Sequence, residues 1–244
     1  MHANNEVGTI QPILEIGKML KTKNIYFHVD AVQTVGKLPI NVTEMGIDLL
    51  SMSAHKIYGP KGVGALYVKK GTKINPIQYG GHQERGLKPG TENVAGIAGF
   101  GKAVEVTRES MEKEERRMRT LRDRLYEGIR KSIKHIRLNG HPESGLSNTL
   151  NVSFEFTDVE FLIMELNKYG IYVASGSACT TFSLTPSHVL LAMGIPANMA
   201  RSAIRFSLGR GNTEEDIDYV LEVLPGAVER YRSIPKRRGK DNVA

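Results

Sequence analysis

Apolar positions recur along this chain at two different spacings, and the spacing changes from one stretch to the next. Over "PILEIGKMLKTKN" they fall at Ile13, Ile16 and Leu20, three to four residues apart. That spacing predicts an amphipathic helix ending near Asn24. "IYFHVDA", "DLLSMSA" and "GALYVKK" are instead short apolar runs, which predict three strands. Short strands separated by helices or compact turns predict an α/β sheet covered on both faces. Near Val104 the period becomes helical: "EVTRESMEKEERRMRTLRDRLYEGIRKSIKHI" carries Met118, Leu121, Leu125, Ile129 and Ile133 on one stripe. After the loop-like "NGHPESGLSN", the strand "TLNVSF" is predicted. A helix over "TDVEFLIMELNKYG" follows, with a capping box from Thr157 and Glu160 and a stop at Gly170. "IYVASG" and "AIRFSLG" are predicted as strands, and "TEEDIDYVLEVLPGAVERY" as a helix with acids in its first turn. The change of texture predicts an α/β domain over residues 1–108, a smaller α+β domain over 109–234, and a basic tail over 235–244.

Composition narrows the class without changing this outline. Apolar residues make up 40% of the 244 and charged residues 24%, as in folded globular chains. No apolar run approaches the roughly 18 residues that span a bilayer. The start, "MHANNEVGTIQP", lacks the layout of a secretory signal. The expected setting is the reducing cytoplasm, with no membrane partner. The net charge of +7 is dispersed. "EERRMRTLRDR" alternates in sign at helical spacing, as a solvated helix face does. With no Trp and no aromatics beside the basic runs, nucleic acid is not an expected partner. One cysteine, Cys179, excludes a disulfide within the chain. The seven histidines show no metal-ligand spacing, so no metal is expected. "GPKGVG" is not a phosphate loop of the G-x-x-x-x-G-K type.

The candidate chemistry sits where predicted strands end. Asp30 closes "IYFHVDA", with Gln33 three residues on. Ser53, His55 and Lys56 close the next strand. Each has a bland reading: Asp30 caps the following turn, Ser53 forms one, His55 is structural and Lys56 is a surface lysine. Together they place an acid, an amide, a hydroxyl, an imidazole and an amine where open α/β sheets gather ligands. A lone cysteine is usually buried and inert. Cys179, however, lies in "ASGSACTTFSLTP", a run too polar for a core.

Six stretches, "HANNEVGTIQPI", "HVDAVQTVGK", "SAHKIYGPKGVGALYV", "GTEN", "SGSACTTFSLTPSHVL" and "IRFSLGR", resemble in order and spacing the cysteine desulfurases of the NifS/IscS group. These are class-V aminotransferase relatives, pyridoxal-phosphate enzymes of fold type I. The resemblance implies the large-domain remnant of that α/β fold, with a mixed, mostly parallel sheet, plus the smaller C-terminal α+β domain. It implies covalent attachment of pyridoxal phosphate at Lys56. Asp30 would lie at the pyridine nitrogen, Gln33 at the ring oxygen, and Ser53 and His55 at the phosphate. Thr91 would reach the phosphate bound by the other subunit of a homodimer. Asn5 and Arg205 would bind the carboxylate of L-cysteine, and Cys179 would accept its sulfur for an iron–sulfur scaffold or another acceptor protein. Two alternatives stay open: a selenocysteine lyase or related pyridoxal-phosphate lyase, and a truncated chain without activity. The family's early strands and helices, with a ring-stacking histidine, precede the point that corresponds to Met1.

Overall fold

The computed structural model describes residues 1–176 and 185–235. The chain divides into two compact units. One comprises Met1–Asn4 and Thr9–Glu115; the other comprises Asn5–Gly8 and the residues from Arg116 on.

In the first unit, helix α1 (Ile13–Lys21) precedes strands β1 (His28–Asp30), β2 (Leu49–Ser53) and β3 (Gly64–Val68), which pair in the order β1-β2-β3. β1 and β2 run parallel, with Asp30 opposite Ser51, while β2 and β3 run antiparallel. The sheet is therefore mixed. The link between the parallel strands is made of turns, not a helix, such as the one in which Thr34 and Val35 N–H groups donate to Ala31 O. Ile13, Val29, Ala31, Ile47 and Leu50 form the core. On α1, Ile13 and Gly17 are the buried positions, and Ile16 and Leu20 are half-buried. Gly17 is required there because a Cβ would collide with the Met45 carbonyl.

Helix α2 (Val94–Ser132) contributes to both units. It starts ten residues before the predicted onset at Val104. Asn93 Oδ1 accepts from Gly96 N at 3.0 Å and caps its first turn.

The second unit contains a four-stranded antiparallel sheet in the order β4-β5-β7-β6, from β4 (Ile136–Asn139), β5 (Thr149–Phe154), β6 (Ala174–Ser175) and β7 (Ala203–Ser207). One face packs against α2, α3 (Val159–Asn167) and α6 (Glu214–Ser233). Leu150, Val152 and Phe154 of β5 meet Leu125, Ile129, Leu162 and Leu224 in that core. Every residue of the predicted stripe is buried, including Ile133 just past the end of α2. Two short helices, α4 (His188–Ala192) and α5 (Ala197–Ala200), lie between β6 and β7.

Two sequence expectations are corrected here. The cap of α3 is Asp158, whose Oδ1 accepts from Glu160 N and Phe161 N; Thr157 turns back and donates to Phe154 O at 2.6 Å. The predicted helix over "IRKSIKHI" stops at Ser132, His135 takes a positive φ of 56°, and Ile136 opens β4. Among the described residues, no helix is long and apolar enough to cross a membrane.

Candidate active site

The first unit builds a polar rim at the C-terminal ends of β1 and β2. Because these strands are parallel neighbours, Asp30 and Ser53 both emerge at the same edge. After Ser53 the chain makes a single 3-10 turn over Ala54–Ile57. Ala54 and Ile57 are apolar and pack on Phe100, so the two residues between them, His55 and Lys56, turn outward and are exposed. Tyr58 adopts a left-handed φ of 65°, and Gly59 N donates to Ala54 O at 2.9 Å, closing the turn. Ser53 Oγ and His55 Nδ1 share a hydrogen bond of 2.8 Å, which holds the imidazole against the strand end. Asp30 Oδ1 accepts from Val32 N at 3.0 Å, and its Oδ2 takes no hydrogen bond among the described residues. Gln33 is half-buried in the turn that follows Asp30, and Thr91 is exposed shortly before α2.

The desolvated lysine at this rim is not Lys56. Lys37, which the sequence pattern did not single out, is half-buried and donates from Nζ to Gln33 O at 3.1 Å. Its pKa falls from 10.5 to about 8, first because burial disfavours the ammonium and second because the Lys56 ammonium repels it. His2 is a further residue without a sequence signal. Its N–H donates to Asp30 O at 2.7 Å, its ring is buried, and its Nδ1 has no hydrogen-bond partner among the described residues. Burial, followed by the N-terminal ammonium, lowers its pKa.

The second unit gathers Asn5 and Arg205. Arg205 stands opposite Asn151 on β5 and Ala174 on β6, so these three share one sheet face. That face is polar: Asn139 Nδ2 donates to Asn151 Oδ1 and Ser153 Oγ, and Asn151 Nδ2 donates to Glu6 O at 3.1 Å. Arg205 Nη1 donates to Asn5 O at 3.0 Å and to Gly176 O at 3.1 Å. Glu6, also unmarked in the sequence, is buried and accepts a hydrogen bond from Ser187 Oγ. Cys179 lies outside the described residues.

The aminotransferase class-V family profile matches residues 1–220. The chain belongs to the class-V aminotransferase family. This class-V chain is 52% identical over 234 residues to the cysteine desulfurase IscS of Dictyoglomus turgidum, covering 96% of this chain and 59% of that protein. It is 53% identical to the cysteine desulfurase IscS of Methanosarcina thermophila, covering 96% and 58%. The crystal structure of a NifS-like protein from Rickettsia africae matches with a TM-score of 0.86 at 34% identity, over 93% of this chain and 60% of that one. The class-V chain thus spans less than two thirds of the length of these relatives.

Class-V aminotransferases and their cysteine desulfurase members use pyridoxal phosphate, and the donor set at the β1–β2 rim suits that group. It supplies a primary amine on an exposed turn, a carboxylate oxygen without a hydrogen bond among the described residues, and a linked hydroxyl–imidazole pair.

Proposed function

We propose that this chain carries the cofactor lysine and the sulfur-accepting cysteine of a pyridoxal-phosphate-dependent cysteine desulfurase. It takes L-cysteine, releases L-alanine and leaves a persulfide on Cys179. The observation that carries this reading is the shared rim of two parallel strands, where Asp30, Ser53, His55 and Lys56 emerge together. Identity above 50% to cysteine desulfurases over 96% of the chain supports it.

When bound, the cofactor supplies an electron sink for the substrate's α-carbon. The chain's own residues do the rest. Lys56 would hold the cofactor covalently, and its amine would take the substrate's α-proton and return one to the α-carbon of the product. Asp30 would keep a proton on the pyridine nitrogen, Gln33 would bond the ring oxygen, and Ser53 and His55 would bond the phosphate. Arg205 and Asn5 hold the substrate carboxylate. The Cys179 thiolate forms an S–S bond with the substrate sulfur as the Cβ–S bond breaks. The electron pair stays on carbon and is protonated to give alanine. Thr91 serves the phosphate held by the partner subunit of a homodimer. The persulfide passes to an iron–sulfur scaffold or another acceptor protein, in the cytoplasm.

Cys179→Ser tests this reading. A serine hydroxyl is nearly isosteric with the thiol but stays protonated near neutral pH, so it neither attacks sulfur nor carries it away. The expected outcome is retained binding of cofactor and cysteine, no persulfide by mass spectrometry, and almost no alanine. Near-normal alanine release by Cys179→Ser would move the chain to another class of pyridoxal-phosphate lyase.

A further inference from the structure

Lys37 is an amine that the fold keeps half-buried, and the proposed chemistry gives it no task. Holding an ammonium out of water is costly, and its lowered pKa records that cost. Its Nζ donates to Gln33 O at 3.1 Å. The rest of the turn after β1 is bonded within itself: Thr34 N and Val35 N donate to Ala31 O, and Lys37 N and Leu38 N donate to Thr34 O. Gln33 O lies outside that set, and Lys37 Nζ is its one donor among the described residues. The Gln33 side-chain amide makes no hydrogen bond among the described residues, so its donors and its acceptor stay available to a ligand.

Between Gln33 and Lys37 this turn is seated on the one that carries Lys56. Gly36 has a φ of 74°, and a Cβ on it would stand 2.8 Å from Ile57 Cγ2 and 2.5 Å from Thr107 Cγ2 of α2. Ile57 is buried with Ala54 and Phe100, and it follows Lys56 directly. Gly36 thus fixes one end of the turn against the neighbour of Lys56. From the next residue, the Lys37 side chain reaches back four positions to hold Gln33.

We propose that Lys37 is a positioning residue for the cofactor: its bond to Gln33 O fixes the segment from Gln33 to Gly36 and so sets where the Gln33 amide stands relative to Lys56. The inference rests on the pyridoxal-phosphate reading above, in which Gln33 would bond the ring oxygen. Lys37 acts through Gln33 and is given no contact with cofactor or substrate. An amide already held in place loses less freedom on binding than one that has to be ordered. Removing the tie therefore weakens cofactor affinity and leaves the site of attachment unchanged.

The experiment compares Lys37→Met, Lys37→Arg, Gln33→Ala and the Lys37→Met/Gln33→Ala double variant in the intact protein. It reads Kd for pyridoxal phosphate by absorbance titration, the attachment site by borohydride fixation, and hydrogen exchange of the 31–38 segment without cofactor. Lys37→Met is expected to raise Kd roughly 3- to 10-fold, as the loss of one hydrogen bond does. Lys56 should still be labelled at saturating cofactor, and faster exchange should be confined to residues 31–38. Lys37→Arg, which keeps a cationic donor, should recover most of the loss. Gln33→Ala should raise Kd at least as much, and adding Lys37→Met to it should change Kd no further. Wild-type Kd in Lys37→Met overturns the proposal, as does additive loss in the double variant or unchanged exchange over 31–38. Wild-type protein labelled at no lysine, or at one other than Lys56, defeats the pyridoxal-phosphate reading instead, so the two failures are told apart.

Discussion

A single residue, Lys37, shows how local burial separates the amines near Lys56. Its folded pKa of about 8 lies below the 10.5 of an unburied lysine. Between those values the unfolded chain binds more protons than the folded one. Stability therefore rises with pH across that window, and the full cost of the buried ammonium is present below about pH 8. At 1.36 kcal/mol per unit, that cost is on the order of 3 kcal/mol at most. Lys37→Met keeps the apolar stem and removes the charge, at the expense of the bond to Gln33 O. Denaturant unfolding should show the variant more stable than wild type at pH 7, with the gap closing toward pH 10.5. A wild-type pH profile in Lys37→Met would show that another group is responsible. At this scale the sequence was legible where strand ends carry polar residues: Asp30, Ser53, His55 and Lys56 stand where the pattern placed them. Lys37 and Glu6 were not legible. The burial of Lys37 depends on how the turns after β1 fold back, and the partner of Glu6 lies 181 residues away.

Among the elements, the segments with a strong period were the ones found. The stripe of α2 and the alternation in β5 each bury a continuous set of side chains, and such a set leaves a mark in one sequence. β4, α4 and α5 span only four or five residues each, too short for a period to register. For α3 the sequence pointed to Thr157 as the cap, whereas the structure has Asp158 there, and the difference is measurable. Asp158→Ala removes the acceptor for two helix N–H groups and should cost about 1 kcal/mol, within the usual range for a lost cap. Glu160→Ala, which would break the capping box expected from Thr157, should leave stability within about 0.5 kcal/mol. Equal losses in urea unfolding of the two variants would contradict the assignment.

For the molecule as a whole, the sequence marks one boundary inside the long helix, and the contacts also draw Asn5–Gly8 into the second unit. No periodicity signals that exchange. It rests on backbone carbonyls of Asn5, Glu6 and Gly8 meeting Arg205, Asn151 and Leu146, which residue type does not reveal. The central claim is that the rim at the ends of β1 and β2 holds pyridoxal phosphate through Lys56. Lys37, with its pKa lowered by burial, is the natural competitor for an aldehyde. The most direct measurement is borohydride fixation of added pyridoxal phosphate to the protein, followed by digestion and peptide mass spectrometry. The predicted result is one pyridoxyl group on the peptide containing Lys56, lost in Lys56→Ala and kept in Lys37→Met. Pyridoxyl on Lys37, undiminished labelling of Lys56→Ala, or no labelling at all would contradict it.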